Sequence, residues 1–414
     1  MSYTYDITTS KKDNRSTVCL TICHLLFTVI QLFLSTFLIA HIYSLTDNLI
    51  SYTINVSIYQ ISHYIVMAIS YFLFSVIVDK TNRIGIYRLG NIINTVLVVI
   101  TVFYGKDLAK IIVLAGALNG LARGAYYASY NVLKQEMVSR KSMKNFAVAI
   151  MVLTKVVNII CPILLGMLID ISTFSMVAIY VLIICLVLII ISFFIKAKRP
   201  KDSNFKVMEY IKRLKENEPL KKKMKKIYLI SFFQGAITVL TTLLSISVMT
   251  HFGSNFSLGA LTSVFAVVSI ILLFLFNRFS KKGKRNWYYI LNSISVVVSV
   301  VIFAIFPNIT TLIIYHLFIA VSETIIGTVY DLYRNKNLKE AGFYQDIAEH
   351  QFVVETMFRL MQIPSYGLLI LICLFNNFVL LQVALVVFVC LYSITSILLM
   401  YYEKTEKDED VETK

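Results

Sequence analysis

Apolar residues in this chain come in long blocks separated by short charged patches. Twelve blocks reach the roughly 20 residues that a helix needs to cross a bilayer. They cover residues 18–43, 53–78, 84–104, 110–134, 145–170, 174–196, 227–251, 256–279, 287–306, 309–334, 351–375 and 377–402. Inside them the apolar positions are continuous and do not alternate, which argues against the strands of an outer-membrane barrel. The pattern predicts an all-α integral membrane protein with twelve transmembrane helices. A polar tail, 1–17, precedes the first block, a stretch at 197–226 separates the sixth from the seventh, and a second tail, 403–414, follows the last. The chain therefore divides into an N-terminal bundle of six helices, 18–196, and a C-terminal bundle of six, 227–402. The first block is too long for the core of a signal peptide and lacks a small-residue cleavage site, so it is read as a spanning helix.

Composition agrees with this reading. Only 15% of residues are charged, against about a quarter in a soluble domain. The formal net charge is +16, and its placement explains it. All but five of the 39 Lys and Arg residues fall in the tails, the 197–226 stretch and the loops on one side. The positive-inside rule makes that side cytoplasmic, with both termini there. The exceptions are Lys106 and Lys110 on the other side, and Arg123, Lys155 and Arg359 within helices. Such asymmetry reads as topology, and no nucleic-acid partner is expected. Lys- and Ile-rich usage fits an AT-rich bacterial genome, which makes the plasma membrane the expected location. Cys19, Cys23, Cys161, Cys185, Cys373 and Cys390 all lie in apolar runs and form no disulfide framework. The segment "CLTICH", Cys19 to His24, lacks a third group of soft ligands, so no metal is expected. No phosphate-binding loop is present, and no cofactor is expected.

Within 197–226, Phe205, Met208, Ile211 and Leu214 recur at helical spacing among lysines. This stretch reads either as an amphipathic helix on the membrane surface or as a plain basic linker. The two halves also resemble each other. "RGAYYASYNVLK" (Arg123 to Lys134) aligns with "ETIIGTVYDLYR" (Glu323 to Arg334), and the charged loop after 53–78 aligns with "NRFSKKGKR" (Asn277 to Arg285) at the same offset of about 200 residues. Six-plus-six parallel repeats are an architecture of secondary transporters.

The loop "SVIVDKTNRIGIYR" carries a closer likeness. Asp79, Lys80 and Arg83 match the acidic and basic positions of a loop motif of the major facilitator superfamily, while Ser75 and Asn82 stand where that motif has glycines. With the helix count, the halving and the central stretch, the chain resembles that superfamily over essentially its whole length. In the family the acid of this loop latches the two halves on the cytoplasmic side, a carboxylate facing a helix N-terminus, and the resemblance implies such a gate at Asp79, Lys80 and Arg83. "NIICPILLG" (Asn158 to Gly166) is similar to the antiporter motif of drug-efflux members, with Cys161 in place of its key glycine. Pro162 reads equally as a simple kink. "LNGLARG" is similar to an efflux motif of the fourth helix, but the family's arginine would fall at Gly116, so its role does not transfer to Arg123.

An arginine at mid-membrane costs about 2.5–3.5 kcal/mol on insertion scales and persists only with a partner or a wet cavity. Arg123 and Glu323 both lie about 16 Å from the inner ends of their helices at helical rise, near the middle of a core about 30 Å thick. The resemblance implies that helices 1, 4, 7 and 10 surround a central cavity, which would set Arg123 against Glu323 across it. Arg123, Tyr127, Tyr130 and Lys134 share one helix face, as do Glu323, Gly327, Tyr330 and Arg334. Gln31 and Gln234 add polar contacts. These residues read as a substrate cavity with a proton-binding carboxylate at Glu323 and a second acid at Asp331, or as a structural ion pair between the two halves. Asp331 and Arg334 also read as interfacial charges or an inner gate. Glu355 and Arg359 stand four apart on one helix, either paired locally or acting in gating. Lys155 is the repeat equivalent of Arg359, and if it faces the cavity the N-half becomes cationic and favours an anionic substrate.

The resulting expectation is a monomeric secondary transporter that moves a small organic or amphipathic molecule, driven by a proton or other ion gradient, with export by antiport favoured. A lipid-headgroup flippase on the same fold is the alternative. An intramembrane enzyme is not expected: "ETMFR" (Glu355 to Arg359) approaches a membrane-protease motif, but Val354 replaces its first acid and no histidine follows His350.

Overall fold

The computed structural model of the chain describes residues 13–46, 48–80, 82–138, 143–196, 205–279, 285–340, 347–375 and 377–412. Lipid offers no partners to backbone polar groups, so a spanning segment must satisfy them within its own helix. Twelve helices are long and apolar enough to do so. The first six are α1 Arg15–Ser44, α2 Leu49–Val78, α3 Arg83–Phe103, α4 Gly105–Lys134, α5 Ala149–Ile171 and α6 Phe174–Ser192. A short connecting helix, α7 Val207–Glu216, follows. The last six are α8 Glu218–Phe252, α9 Asn255–Phe276, α10 Asn286–Ile305, α11 Ile309–Leu338, α12 Ala348–Leu374 and α13 Val379–Glu403. An even number of crossings returns both ends to one face, here called the basic face for its lysines and arginines.

Helix starts follow local capping chemistry. Asn82 caps α3 by accepting from the Gly85 N–H at 3.3 Å; it stands where the family loop has a glycine, and an N-cap asparagine suits a helix start at least as well. Asn217 caps α8 in the same way, accepting from the Leu220 N–H at 3.2 Å with Pro219 in the first turn. That cap starts α8 at Glu218, well before the 227 expected from hydropathy, and the lysine-rich stretch becomes the first turns of the helix.

The connecting helix differs from expectation in its buried stripe. Tyr210 and Leu214 are buried, whereas Met208 is exposed. The Tyr210 hydroxyl lies 2.7 Å from that of Tyr228 on α8 and 3.2 Å from His350 Nδ1 on α12. The Lys206 backbone N–H donates to Glu349 Oε1 at 3.0 Å. Phe205 packs edge-on against Phe352 of α12 and Phe72 of α2, with ring centroids 6.1 and 6.5 Å apart. The helix thus packs on the C-half, and Phe205 just before it touches the N-half.

The closest helix pair is α2 with α4. Gly116, Gly120 and Gly124 form a ridge at four-residue spacing along α4, and α2 lies directly on it. A Cβ at Gly120 would stand 2.3 Å from the His63 carbonyl oxygen. In lipid such small-residue ridges replace the hydrophobic effect as the source of packing.

The halves meet along α2–α12 and α5–α9, and the far ends of α1 and α8 also touch. At α5–α9 the contact is again backbone against backbone: a Cβ at Gly259 would lie 2.1 Å from the Pro162 carbonyl oxygen. The segment "NIICPILLG" is therefore the crossing point between halves. One turn further, Asp170 clasps the start of α9. Its carboxylate accepts from the backbone N–H groups of Asn255 and Phe256 at 3.1 and 2.8 Å, from Ser254 Oγ at 2.7 Å and from Asn255 Nδ2 at 2.9 Å. An anion at a helix N-terminus is favoured by the unpaired N–H groups and the helix dipole. A carboxylate latch of the kind expected at Asp79 on the basic face is thus present at Asp170 on the other. The side chains of Asp79 and Lys80 lie outside the described residues; Arg83 is buried.

Two outcomes follow. Gly120→Ala should destabilise the protein by about 1–3 kcal/mol, the usual penalty for overpacking, read as a lower melting temperature in detergent. Asp170→Ala removes a cap of about 0.5–2 kcal/mol. Spin labels on the facing ends of α5 and α9 should then report a longer, broader distance distribution than in the parent protein.

Candidate functional site

The glycine ridge decides where Arg123 points. Its neighbours Gly120 and Gly124 lie against α2, so the side chain of Arg123 reaches α2 as well. Its guanidinium lies 3.4 Å from His63 Nε2. Arginine only donates, so that nitrogen accepts and the ring carries its hydrogen on Nδ1. The Tyr127 ring stands 5.9 Å away, one helical turn along. Around this pair the N-half is tied by buried polar bonds: Asn119 Nδ2 donates to the Tyr59 hydroxyl at 2.7 Å, and that hydroxyl donates to the Leu34 carbonyl at 3.1 Å. Leu34 sits in a π-helical stretch of α1, Phe33–Phe37, a local widening that recurs at functional sites.

From the C-half, Arg359 of α12 reaches the same place. It donates to Glu355 at 2.7 Å and to Gln362, which in turn donates to Thr238 Oγ1 at 2.7 Å. It also lies 3.4 Å from Met67 Sδ and 4.9 Å from the Tyr64 ring, both on α2. The local pairing of Glu355 with Arg359 is present, and the arginine additionally bridges the halves. Tyr64 stacks on Tyr366 of α12 at 5.8 Å. His63 and Tyr64 thus lie in the field of both arginines.

Glu323 behaves differently from expectation. No ion pair joins it to Arg123 among the described residues. The basic residue whose charge acts on it is Lys155 of α5. The reason is the α4 ridge, which turns Arg123 to α2 and leaves Lys155 as the N-half's cation toward Glu323. Glu323 lies deep among the helices, yet it is exposed and not sealed by packing. Among the described residues neither Glu323 nor Lys155 closes an ion pair.

The remaining predicted residues separate into two groups. Gln31 is buried and donates to Asn94 Oδ1 at 3.2 Å, tying α1 to α3. Tyr130 is buried and stacks on His24 at 4.5 Å, with Lys134 Nζ 5.8 Å from its ring. Tyr330 is buried and shares a 2.5 Å hydrogen bond with Ser231, with the Arg334 guanidinium 5.6 Å from its ring. The repeat-related tyrosines therefore each carry a cation four residues on, over the ring. Asp331 pairs with Arg334 at 3.1 Å. Gln234 is nearer the centre, at the break where α8 passes Gly235; its Oε1 is buried with no hydrogen-bond partner. In "CLTICH", Cys23 donates to the Leu188 carbonyl at 3.7 Å and His24 Nδ1 lies 2.9 Å from the Tyr126 hydroxyl. These residues serve helix packing.

Sequence reasoning missed His63, Tyr64, Gln362 and Asp170. The three glycines of α4 were visible at four-residue spacing and would have placed α2, and with it His63, beside Arg123.

These twelve helices, with polar and charged side chains converging between two halves, have the architecture of membrane transporters. A family model of the Major Facilitator Superfamily matches residues 17–344, and the chain belongs to that superfamily. The Bacillus subtilis (strain 168) protein YqgE, itself uncharacterized, is 23% identical over 282 residues, which is 67% of this chain and 64% of that protein. Among solved structures, the nucleoside transporter NupG superposes with a TM-score of 0.65 at 14% identity, covering 95% of this chain and 99% of that one. A POT family transporter in complex with 5-aminolevulinic acid gives 0.67 at 11%, covering 93% and 96%. A bacterial homologue of the iron transporter ferroportin, in an inward-facing state, gives 0.64 at 13%, covering 93% and 98%.

The two arrangements predict opposite results in double-mutant cycles for stability. Glu355→Gln and Arg359→Gln should be coupled by about 0.5–3 kcal/mol, whereas Arg123→Gln and Glu323→Gln should add within about 0.5 kcal/mol. Unfolding of the four single and two double variants in detergent measures both.

Proposed function

We propose that this protein is a secondary active transporter that moves a small organic or amphipathic molecule across the cytoplasmic membrane by alternating access of its two halves. One observation carries the reading: Glu323 of the C-half stands exposed at membrane depth, Lys155 of the N-half is the cation acting on it, and among the described residues neither closes an ion pair. Ionisable groups at that depth are expensive and mark substrate or proton pathways. Glu323 is the group to bind a proton from one side and release it on the other, exchanging it for substrate. The superfamily membership supports the fold-level part of this reading.

The seams between the halves fit the same cycle. The α5–α9 crossing, closed by Asp170, is the gate on the face opposite the lysines. The α2–α12 contact, with Phe205 against Phe72 and Phe352, is the gate toward the basic face. By the positive-inside rule that basic face is cytoplasmic and holds both termini. Export by antiport, as in the drug-efflux branch, is the direction favoured by the antiporter-like segment at the α5–α9 crossing.

Glu323→Gln tests the coupling. In proteoliposomes the variant should fold and bind substrate but lose movement driven by a pH gradient, while counterflow exchange persists. Undiminished pH-driven uptake by the variant would remove Glu323 from the mechanism.

A further inference from the structure

The middle of the membrane holds three cations, Arg123, Lys155 and Arg359, and two anions, Glu323 and Glu355. Arg359 is fully engaged, by Glu355, by Gln362 and by the Tyr64 ring. The cation acting on Glu323 is Lys155. Arg123 is left over. Among the described residues no carboxylate pairs with it. Of the five N–H groups of its guanidinium, one is directed at His63 Nε2. Its Nε is buried with no hydrogen-bond partner among the described residues. A cation in the membrane interior without a counter-charge is costly, and an anionic ligand is the group that would relieve it.

We infer that the seat at Arg123 takes a small organic monoanion with an aromatic body, its acid group on the guanidinium and its ring against Tyr127. This rests on the transporter reading and names the substrate class of that same site. The fork of arginine matches a carboxylate with two parallel, charge-assisted hydrogen bonds. The wall beside it is aromatic: Tyr127 meets Phe27 and Tyr126 edge-on, at 5.8 and 5.3 Å. With the acid bound, the central charges sum to zero.

The test uses a matched series, phenylacetate, phenylacetamide and phenethylamine, on the full-length protein in phosphatidylcholine nanodiscs. Phenylacetate should raise the melting temperature and the other two should not. Arg123→Gln should weaken phenylacetate at least tenfold, the loss of about 1.4 kcal/mol. Arg123→Lys, which keeps the charge but not the fork, should fall between and serves as the control for folding. A preference for the amine or the amide overturns the inference, as does the absence of a response to all three. Stabilisation by added phosphatidylglycerol that phenylacetate does not compete away overturns it too, since the anion is then a lipid. Binding of phenylacetate without its movement across proteoliposomes in either direction ends the transporter reading and leaves the anion seat standing. Movement of the amine with no response to phenylacetate does the reverse.

Discussion

The contact on which the rest of the N-half depends is the direct approach of two backbones, α4 on α2, along Gly116, Gly120 and Gly124. Between lipid-embedded helices there is little hydrophobic gain from association, so close van der Waals contact must hold them. Once α2 and α4 are locked, the register of everything polar beside them is set. Arg123 comes to His63, Asn119 comes to Tyr59, and Tyr59 reaches the π-helical stretch of α1. The same device recurs between the halves at Pro162 and Gly259, where carbonyl meets glycine. There it joins the two halves themselves.

Polar chemistry is divided between these contacts with some economy. At the far face a single carboxylate, Asp170, supplies the missing partners at the start of α9. At the basic face the connecting helix docks on its own half through Tyr210 and Lys206, and Phe205 reaches across to the other. The charges of the centre are spread over four helices, α4, α5, α11 and α12, so that neither half contains a balanced set by itself.

The fold was readable from hydropathy because lipid makes the rule simple: long apolar runs must be helices, and lysines sort to one face. Where the reading slipped, a local cap outweighed the hydropathy, as at Asn217, which draws six charged or polar residues into α8. The charges of the central membrane were readable from the sequence, but not their pairings. Arg123, Lys155, Glu323, Glu355 and Arg359 stand out as charges in apolar runs, and a single sequence shows that without help. Which cation meets which acid depends on helix rotation. That rotation was encoded in the α4 glycines, residues with no charge to draw notice. The repeat alignment carried one further truth: Tyr130 and Tyr330 sit under Lys134 and Arg334 in the same way.

The lock between α2 and α4 also makes Tyr64 and Arg123 parts of one rigid plate. Arg359 rests on that plate from the other side of the seam, against Tyr64 and Met67. Any rocking of the halves therefore changes the separation of the two guanidinium groups while leaving each one's own scaffold undisturbed. That separation works as a caliper, its jaws carried by different halves, and a probe on each jaw would read the opening of the molecule directly.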